Sequence, residues 1–260
     1  MDFVGKTAFI TGGAKGIGRG VCEVFAGYGA NVVIADFNYE GAQETAKAIA
    51  KEKGVETFAV KVNVADKTSV EAAVAETVQK FGSIEMMVNV AGIICADKLE
   101  DLKEEDWDRV MNVNLKGSFL IGQAVANEMK KRKYGKMVFI ASAAAKDAEY
   151  GNGVYCVSKA GVDMLTHVFA IELAEYGINV NSVNPSYVDT DIMQAVFNER
   201  GPLEGMSPEE YREALLSTVP MHRMASVHEI GELCAMLCSD KIGFLHGENV
   251  LISGGKVMRM

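Results

Sequence analysis

The sequence predicts an α/β fold, a doubly wound parallel sheet of seven strands with helices on both faces. Three observations lead to it. Short β-branched runs alternate with amphipathic helical segments, which implies βαβ crossovers and a sheet covered on both sides. A glycine cluster, Thr11-Gly12-Gly13-Ala14-Lys15-Gly16-Ile17-Gly18, joins the first such run to the first helical segment. No internal repeat, low-complexity tract or linker-like shift of composition breaks the rhythm, so residues 1–260 are expected to form a single domain.

The elements follow in order. Residues 6–11 read as the first strand and 16–28 as the first helix. Residues 31–35 and 40–52 read as the second strand and second helix. Strands three and four cover 57–64 and 84–90, with a helix over 67–81 between them. Strand five covers 137–141, strand six 178–183 and strand seven 249–252. Two long helices, about 107–132 and 154–176, flank strand five. Ser226-Val227-His228-Glu229 has the form of a capping box, and Ser207-Pro208-Glu209-Glu210 places proline at a first helical position. Residues 186–225 fall outside the rhythm and read as an excursion of the kind that shapes a ligand site.

Composition removes several function classes. The 26 Lys and Arg against 35 Asp and Glu give a net charge of −9, which opposes binding to nucleic acid. The basic run at Lys130, Lys131, Arg132 and Lys133, with Lys136, suits the C-terminal end of a helix. No uninterrupted apolar run approaches the ~18 residues of a membrane span. The opening residues lack a basic leader before an apolar stretch, so a cytoplasmic chain without a secretory signal is expected. The five cysteines are odd in number and scattered, as reduced thiols would be, and Cys234 and Cys238 suit core packing. His167, His222, His228 and His246 form neither a triad nor a metal spacing, so no metal is expected.

The glycine cluster lets the backbone turn tightly and approach a pyrophosphate at a helix N-terminus. Asp36 stands twenty residues after Gly16, at the end of the second strand, where a carboxylate accepts from ribose hydroxyls. That charge repels a 2′-phosphate and Phe37 offers no cation, so NAD is expected over NADP, with Lys15 as the dissenting feature. Tyr155 and Lys159 are four apart on one helix face. A nearby ammonium favours a phenolate, so the spacing predicts a lowered Tyr155 pKa and an acid/base for hydride transfer at a carbonyl.

Read together, these stations resemble the short-chain dehydrogenase/reductase family in its compact single-domain branch, over nearly the whole chain. The matching segments are Thr11 to Gly18, Asp36, Asn89-Val90-Ala91-Gly92, Asn112-Val113-Asn114-Leu115, Ser142, Tyr155 with Lys159, and Asn184 to Thr190. The resemblance implies a Rossmann-type fold and a four-residue site. Tyr155 would be the general acid/base, and Ser142 would bind the substrate oxygen. Lys159 would act on the tyrosine and hold the nicotinamide ribose. Asn114 would anchor a water in a proton relay. Gly12, Lys15, Gly16, Ile17, Gly18, Asp36, Phe37, Asn63, Val64, Asn89, Ala91, Gly92, Pro185, Val188 and Thr190 would contact the cofactor, together with Tyr155 and Lys159. A homodimer or homotetramer is implied, built on the two long helices.

Four positions depart from the pattern: Val90 where the family commonly has Asn, Ser186 where it has Gly, and Asn63 and Ser253 where it has Asp. Asn63 still hydrogen-bonds adenine in principle, whereas Ser186 puts the backbone beside the nicotinamide in question. The segments 173–178 and 252–258 are similar to those of sorbitol-phosphate and other polyol dehydrogenases, so a polyol or sugar-derived alcohol/ketone substrate is expected. Two alternatives share the chemistry: a 3-oxoacyl-thioester reductase, and a hydroxysteroid or other hydrophobic-alcohol dehydrogenase with Tyr187, Met193, Val196, Phe197 and Met206 as an apolar pocket. A third, from another class, is a dinucleotide-sensing regulator without turnover.

Overall fold

Seven strands form one all-parallel sheet in the computed structural model, which describes residues 1–258. In chain order they are β1 (Thr7–Thr11), β2 (Asn31–Asp36), β3 (Thr57–Lys61), β4 (Met86–Asn89), β5 (Gly135–Ile140), β6 (Ile178–Pro185) and β7 (Asn249–Ile252). Their spatial order is β3-β2-β1-β4-β5-β6-β7, the Rossmann-type arrangement expected. Every residue of β1, β4 and β5 is buried, because helices cover both faces of a parallel sheet.

The helices are α1 (Gly16–Gly27), α2 (Tyr39–Lys53), α3 (Lys67–Phe81), α4 (Glu104–Met111), α5 (Gly117–Arg132), α6 (Gly153–Leu173), α7 (Asp191–Leu203), α8 (Pro208–Ser217) and α9 (Val227–Leu237). Alternate side chains of the strands divide the core into two layers. One holds Cys22, Phe25, Ile34, Ile230 and Cys234 beneath α1 and α9. The other holds Phe9, Met87, Ile121, Phe139 and Phe169 beneath α5 and α6, with Phe139 and Phe169 stacked at 5.8 Å. Asn38 caps α2 by accepting from Gly41 N, and Asp66 caps α3 by accepting from Thr68 N. Both serine boxes form, Ser207 with Glu210 and Ser226 with Glu229.

Several elements differ from the sequence reading. The long helix expected over 107–132 is two helices, α4 and α5, joined by a π-helical turn, Asn112–Lys116. Hydrophobic periodicity does not resolve one wide turn inside a continuous helical pattern, and such turns occur often at functional sites. β3 ends at Lys61, short of 64, while β5 begins at Gly135 and β6 runs through Pro185. Lys136 leaves the basic run to lie buried on β5, where it donates to Asn179 Oδ1 at 2.8 Å. The excursion carries α7 and α8 around a satellite core of Phe197, Tyr211, Leu216 and Met224. One segment, Gly153–Tyr176, does reach the length and mean hydropathy, 1.2, of a membrane span. Polar residues are spaced along it, so it holds no long uninterrupted apolar run. Those polar residues, Ser158, Lys159, Asp163 and Thr166, are buried against the sheet side of the protein.

Candidate active site

The strand order reverses at β1, so the crossovers on its two sides diverge and leave a crevice beyond the carboxyl ends of the strands. A cleft of about 740 Å³ opens there, with walls from the loops after β1, β2, β4, β5 and β6.

Its first half begins at the glycine loop. Gly12 has a left-handed φ of 66°, and a side chain there would press on the backbone of Ala91. A side chain at Gly18 would collide with the carbonyl of Gly12, so only glycine closes this turn. Lys15 precedes α1 in extended conformation with no side-chain cap, which leaves the first helical amides of Gly16, Ile17 and Gly18 as donors facing the cleft. Asp36 Oδ2 accepts from Ala14 N at 3.0 Å and Oδ1 from Asn38 N at 2.9 Å. The carboxylate thus ties the glycine loop to the end of β2, and each oxygen retains further acceptor capacity. Phe37 is 70% exposed at the rim, beside Asn63 and Val64. A close-approach backbone, uncapped amides and a carboxylate for hydroxyls together fit a dinucleotide.

The second half lies beyond β4 and β5. Ser142 follows β5 and accepts from Ala144 N at 3.1 Å, while its carbonyl accepts from Asn184 Nδ2 at 3.0 Å. Tyr155 and Lys159 enter from the first two turns of α6, and Lys159 Nζ stands 5.7 Å from the Tyr155 ring centre. Lys159 is buried and donates to the Ile140 carbonyl at 2.8 Å. The π turn aims Asn114 back across the site. Its amide accepts from Ile93 N at 2.8 Å, donates to Ile93 O at 2.9 Å and donates to Ser158 Oγ at 3.0 Å.

The electrostatics correct one expectation. Tyr155 is pushed up to about 12, foremost by burial and also by the charge of Glu149, while a hydrogen bond with Ser142 acts the other way. Lys159 is pulled down to about 8 by its own burial, with Asp163 opposing. Burial, rather than a neighbouring ammonium, sets the direction of the Tyr155 shift. Both groups lie where charge is poorly solvated, and the ammonium is turned toward a backbone carbonyl.

All predicted site residues but two line this one cleft: Gly12, Lys15, Gly16, Ile17, Gly18, Asp36, Phe37, Asn63, Val64, Ala91, Gly92, Ser142, Tyr155, Lys159, Pro185, Val188 and Thr190. Asn114 lies behind the wall. So does Asn89, whose Oδ1 accepts from Thr11 Oγ1 at 2.7 Å and whose Nδ2 donates to Ser118 Oγ at 2.8 Å. Thr11 Oγ1 in turn accepts from the amides of Val90 and Ala91, which shapes the wall beside the glycine loop. Ser186 adopts no left-handed backbone, and its hydroxyl donates to the Ser253 carbonyl at 3.2 Å, so glycine is not required there. Arg109, Ile94, Asp191 and Ile192, which the sequence did not single out, also line the cleft. None carries a motif: Ile94 lies in the loop after β4, Arg109 on α4, and Asp191 and Ile192 at the start of α7.

Comparison with known proteins agrees with this geometry. A family model described as enoyl-(acyl carrier protein) reductase matches residues 12–256. The chain is 37% identical over 98% of its length, and 95% of the relative's, to oxidoreductase UcpA of Salmonella typhimurium. It is 35% identical, over 97% of its length and 98% of the relative's, to 3-oxoacyl-(acyl-carrier-protein) reductase FabG of Staphylococcus aureus. Among solved structures, NAD+-bound xylitol dehydrogenase superposes with a TM-score of 0.94 at 28% identity, covering 98% of this chain and 100% of that one. L-sorbose reductase of Gluconobacter frateurii, complexed with NADPH and L-sorbose, gives 0.94 at 26% identity, covering 100% and 99%. With this full-length match added to a glycine-loop cleft that ends at Ser142, Tyr155 and Lys159, the chain belongs to the short-chain dehydrogenase/reductase family, the NAD(P)-dependent oxidoreductases acting on CH–OH groups.

Proposed function

We propose that this protein interconverts a secondary alcohol and its ketone with NAD(H), on a polyol or sugar-derived substrate, in the cytoplasm. The observation that carries the reaction is the convergence of Ser142, Tyr155 and Lys159 in one half of a cleft whose other half is the glycine loop and Asp36. Ser142 Oγ holds the substrate oxygen, and the Tyr155 hydroxyl passes the proton to it or takes it away. Lys159 would hold a ribose hydroxyl of the bound cofactor, and Asn114, fixed by both polar groups of Ile93, would hold a water for proton exchange. A bound dinucleotide would supply or accept the hydride.

Polar groups around the reacting end support a hydroxylated substrate. Glu149 acts on Tyr155 through its charge and pairs with Lys256 at 3.4 Å. Lys256 lies 4.2 Å from the centre of the Tyr187 ring. Asn152 Oδ1 is buried with no partner among the described residues. The xylitol and L-sorbose enzymes point the same way. A second reading, 3-oxoacyl-thioester reduction, is favoured by the similarity to FabG. Of the apolar pocket expected for the hydrophobic-alcohol reading, Met193 lines the cleft, whereas Phe197 packs into the satellite core, 6.5 Å from the Tyr211 ring. A panel of polyols, their phosphates, 3-oxoacyl thioesters and steroids, each with NAD and NADP, separates these readings. NADH formation with several polyols is the expected result, and turnover confined to thioesters with NADPH would overturn it.

Asp36 is proposed to set the cofactor preference. Asp36→Asn is expected to lower the NAD-over-NADP ratio of kcat/KM by ten-fold or more, since a charge facing a ribose contributes about 1.4 kcal/mol or more. An unchanged ratio in the variant would assign the choice to Lys15.

A second copy of the chain is proposed to cover the outer face of α6. Val157, Met164, Val168 and Ile171 stand 44%, 60%, 43% and 80% exposed there, with Phe119 of α5 alongside at 40%. Such a contiguous apolar face marks an interface. Sedimentation is expected to show a dimer or tetramer, dissociated by Ile171→Glu; a monomer at micromolar concentration contradicts this.

A further inference from the structure

A buried carboxylate behind Ser142 draws three elements together. Asp163 sits one turn after Lys159 on α6 and is 5% exposed. Its Oδ1 accepts from Ser182 Oγ at 3.0 Å, and both its oxygens accept from Asn184 Nδ2 at 3.0 Å. Its Oδ2 also stands 2.8 Å from Lys146 Nζ. Asn184 Nδ2 reaches the Ser142 carbonyl as well, at 3.0 Å. Lys146 lies on the segment that leaves Ser142 for Tyr155. Asp163 therefore grips the backbone around Ser142 from two sides, through β6 and through Lys146. Neither Asp163, Asn184 nor Ser182 lines the cleft, so none of them meets a substrate.

We propose that Asp163 is a positioning residue for the reaction: it holds the Ser142 backbone through Asn184 and supports the positive charge of Lys159. The assignment rests on the placement of Ser142 and Lys159 in the reacting site. A buried ion pair adds little net stability by itself, whereas residues four apart on a helix face one another closely enough to act on each other's charge. Burial pulls Lys159 toward its neutral form, and Asp163 is the group that opposes it. Around Lys159, α6 supplies the titratable groups Tyr155 and Asp163. β5 supplies the Ile140 carbonyl, and the loop after β4 and the π turn supply Gly92 and Asn114, none of which titrates. Around Asp163, the segment after β5 supplies Lys146, and β6 supplies the neutral Ser182 and Asn184.

Asp163 acts on Lys159 and Lys146 acts on Asp163, and the two charges differ in sign, so their removal must act on Lys159 in opposite directions. NMR titration of the lysine side chains in the cofactor-free protein is expected to find Lys159 losing its proton about one pH unit lower in Asp163→Asn. In Lys146→Met, where Asp163 loses its competing cation, Lys159 is expected to titrate higher. The alkaline fall of kcat for ketone reduction should move the same two ways while KM changes less than three-fold. A merely structural role predicts the same direction for both variants, or no movement, and either result overturns the proposal. Should Asp163→Asn fail to fold, Lys146→Met decides alone: an upward shift supports the proposal and any other outcome refutes it. Turnover surviving in Tyr155→Phe would instead count against the proposed reaction, independently of the lysine titration.

Discussion

Tyr155→Phe is expected to lower turnover by about 10³-fold or more while leaving NADH affinity within about three-fold, as loss of a positioned acid/base does. The substitution removes one oxygen and leaves the ring, so the wall of the cleft and the start of α6 keep their shape. The direction of the pH dependence follows from burial. With its pKa pushed up to about 12, the phenol is fully protonated at neutral pH and is loaded as the acid for ketone reduction. Alcohol oxidation needs the phenolate, so its rate should climb with pH across the neutral and mildly alkaline range. In Tyr155→Phe that climb should vanish from whatever activity is left. Steady-state rates in both directions from pH 6 to 10, with fluorescence titration of NADH, test this. Retention of turnover would refute the acid/base role of Tyr155, whereas a parent protein that binds NADH and turns over no substrate would favour the non-catalytic regulator.

Lys159→Met is expected to abolish useful activity and, at the same time, to make the protein more stable. Lys159 is 4% exposed, and its ammonium donates to the Ile140 carbonyl. Its pKa falls from 10.5 to about 8 on folding, chiefly through burial, with Asp163 resisting. Folding therefore disfavours the protonated form. The penalty is fully present below pH 8, shrinks as pH rises from 8 to 10.5, and is gone above that range. Its size at neutral pH is about 3 kcal/mol. Methionine keeps most of the volume and removes the charge. The variant should melt several degrees higher than the parent at pH 7, with the gap closing by pH 10. A variant melting below its parent at pH 7 would show that the ammonium is held by more than burial allows. A gain in stability on losing a reacting group is the expected mark of a site that tolerates strain for function.

Much of this was legible in the residues, because the relevant constraints are local. Alternating periodicities of two and 3.6 residues mark strands and helices wherever one face is buried, and both serine capping boxes announce their helices. Gly12 and Gly18 are required by the backbone of their own turn, and Asp36 by its place at a strand end. Ser142, Tyr155 and Lys159 fall at spacings that a strand end and one helix face impose. Other features had no local signal. Asn114 acts from a π turn hidden inside a continuous helical pattern, and Asn89 turned out to brace the wall from behind through Thr11 and Ser118. Arg109 and Ile192 reach the cleft only because distant segments fold over it.

The sequence by itself determined the strand order's ingredients, the glycine loop and the side chains proposed to react, since each depends on residues close together along the chain. Only the tertiary structure decided how those side chains are charged. Desolvation is set by everything packed around a group, and it pushes Tyr155 up where its spacing from Lys159 predicts a lowering. The same packing brings Asp163, Asn184 and Lys146 together behind Ser142 from α6, β6 and the segment after β5. No spacing in the chain encodes that meeting, because it is created by the crossover that lays α6 against the sheet.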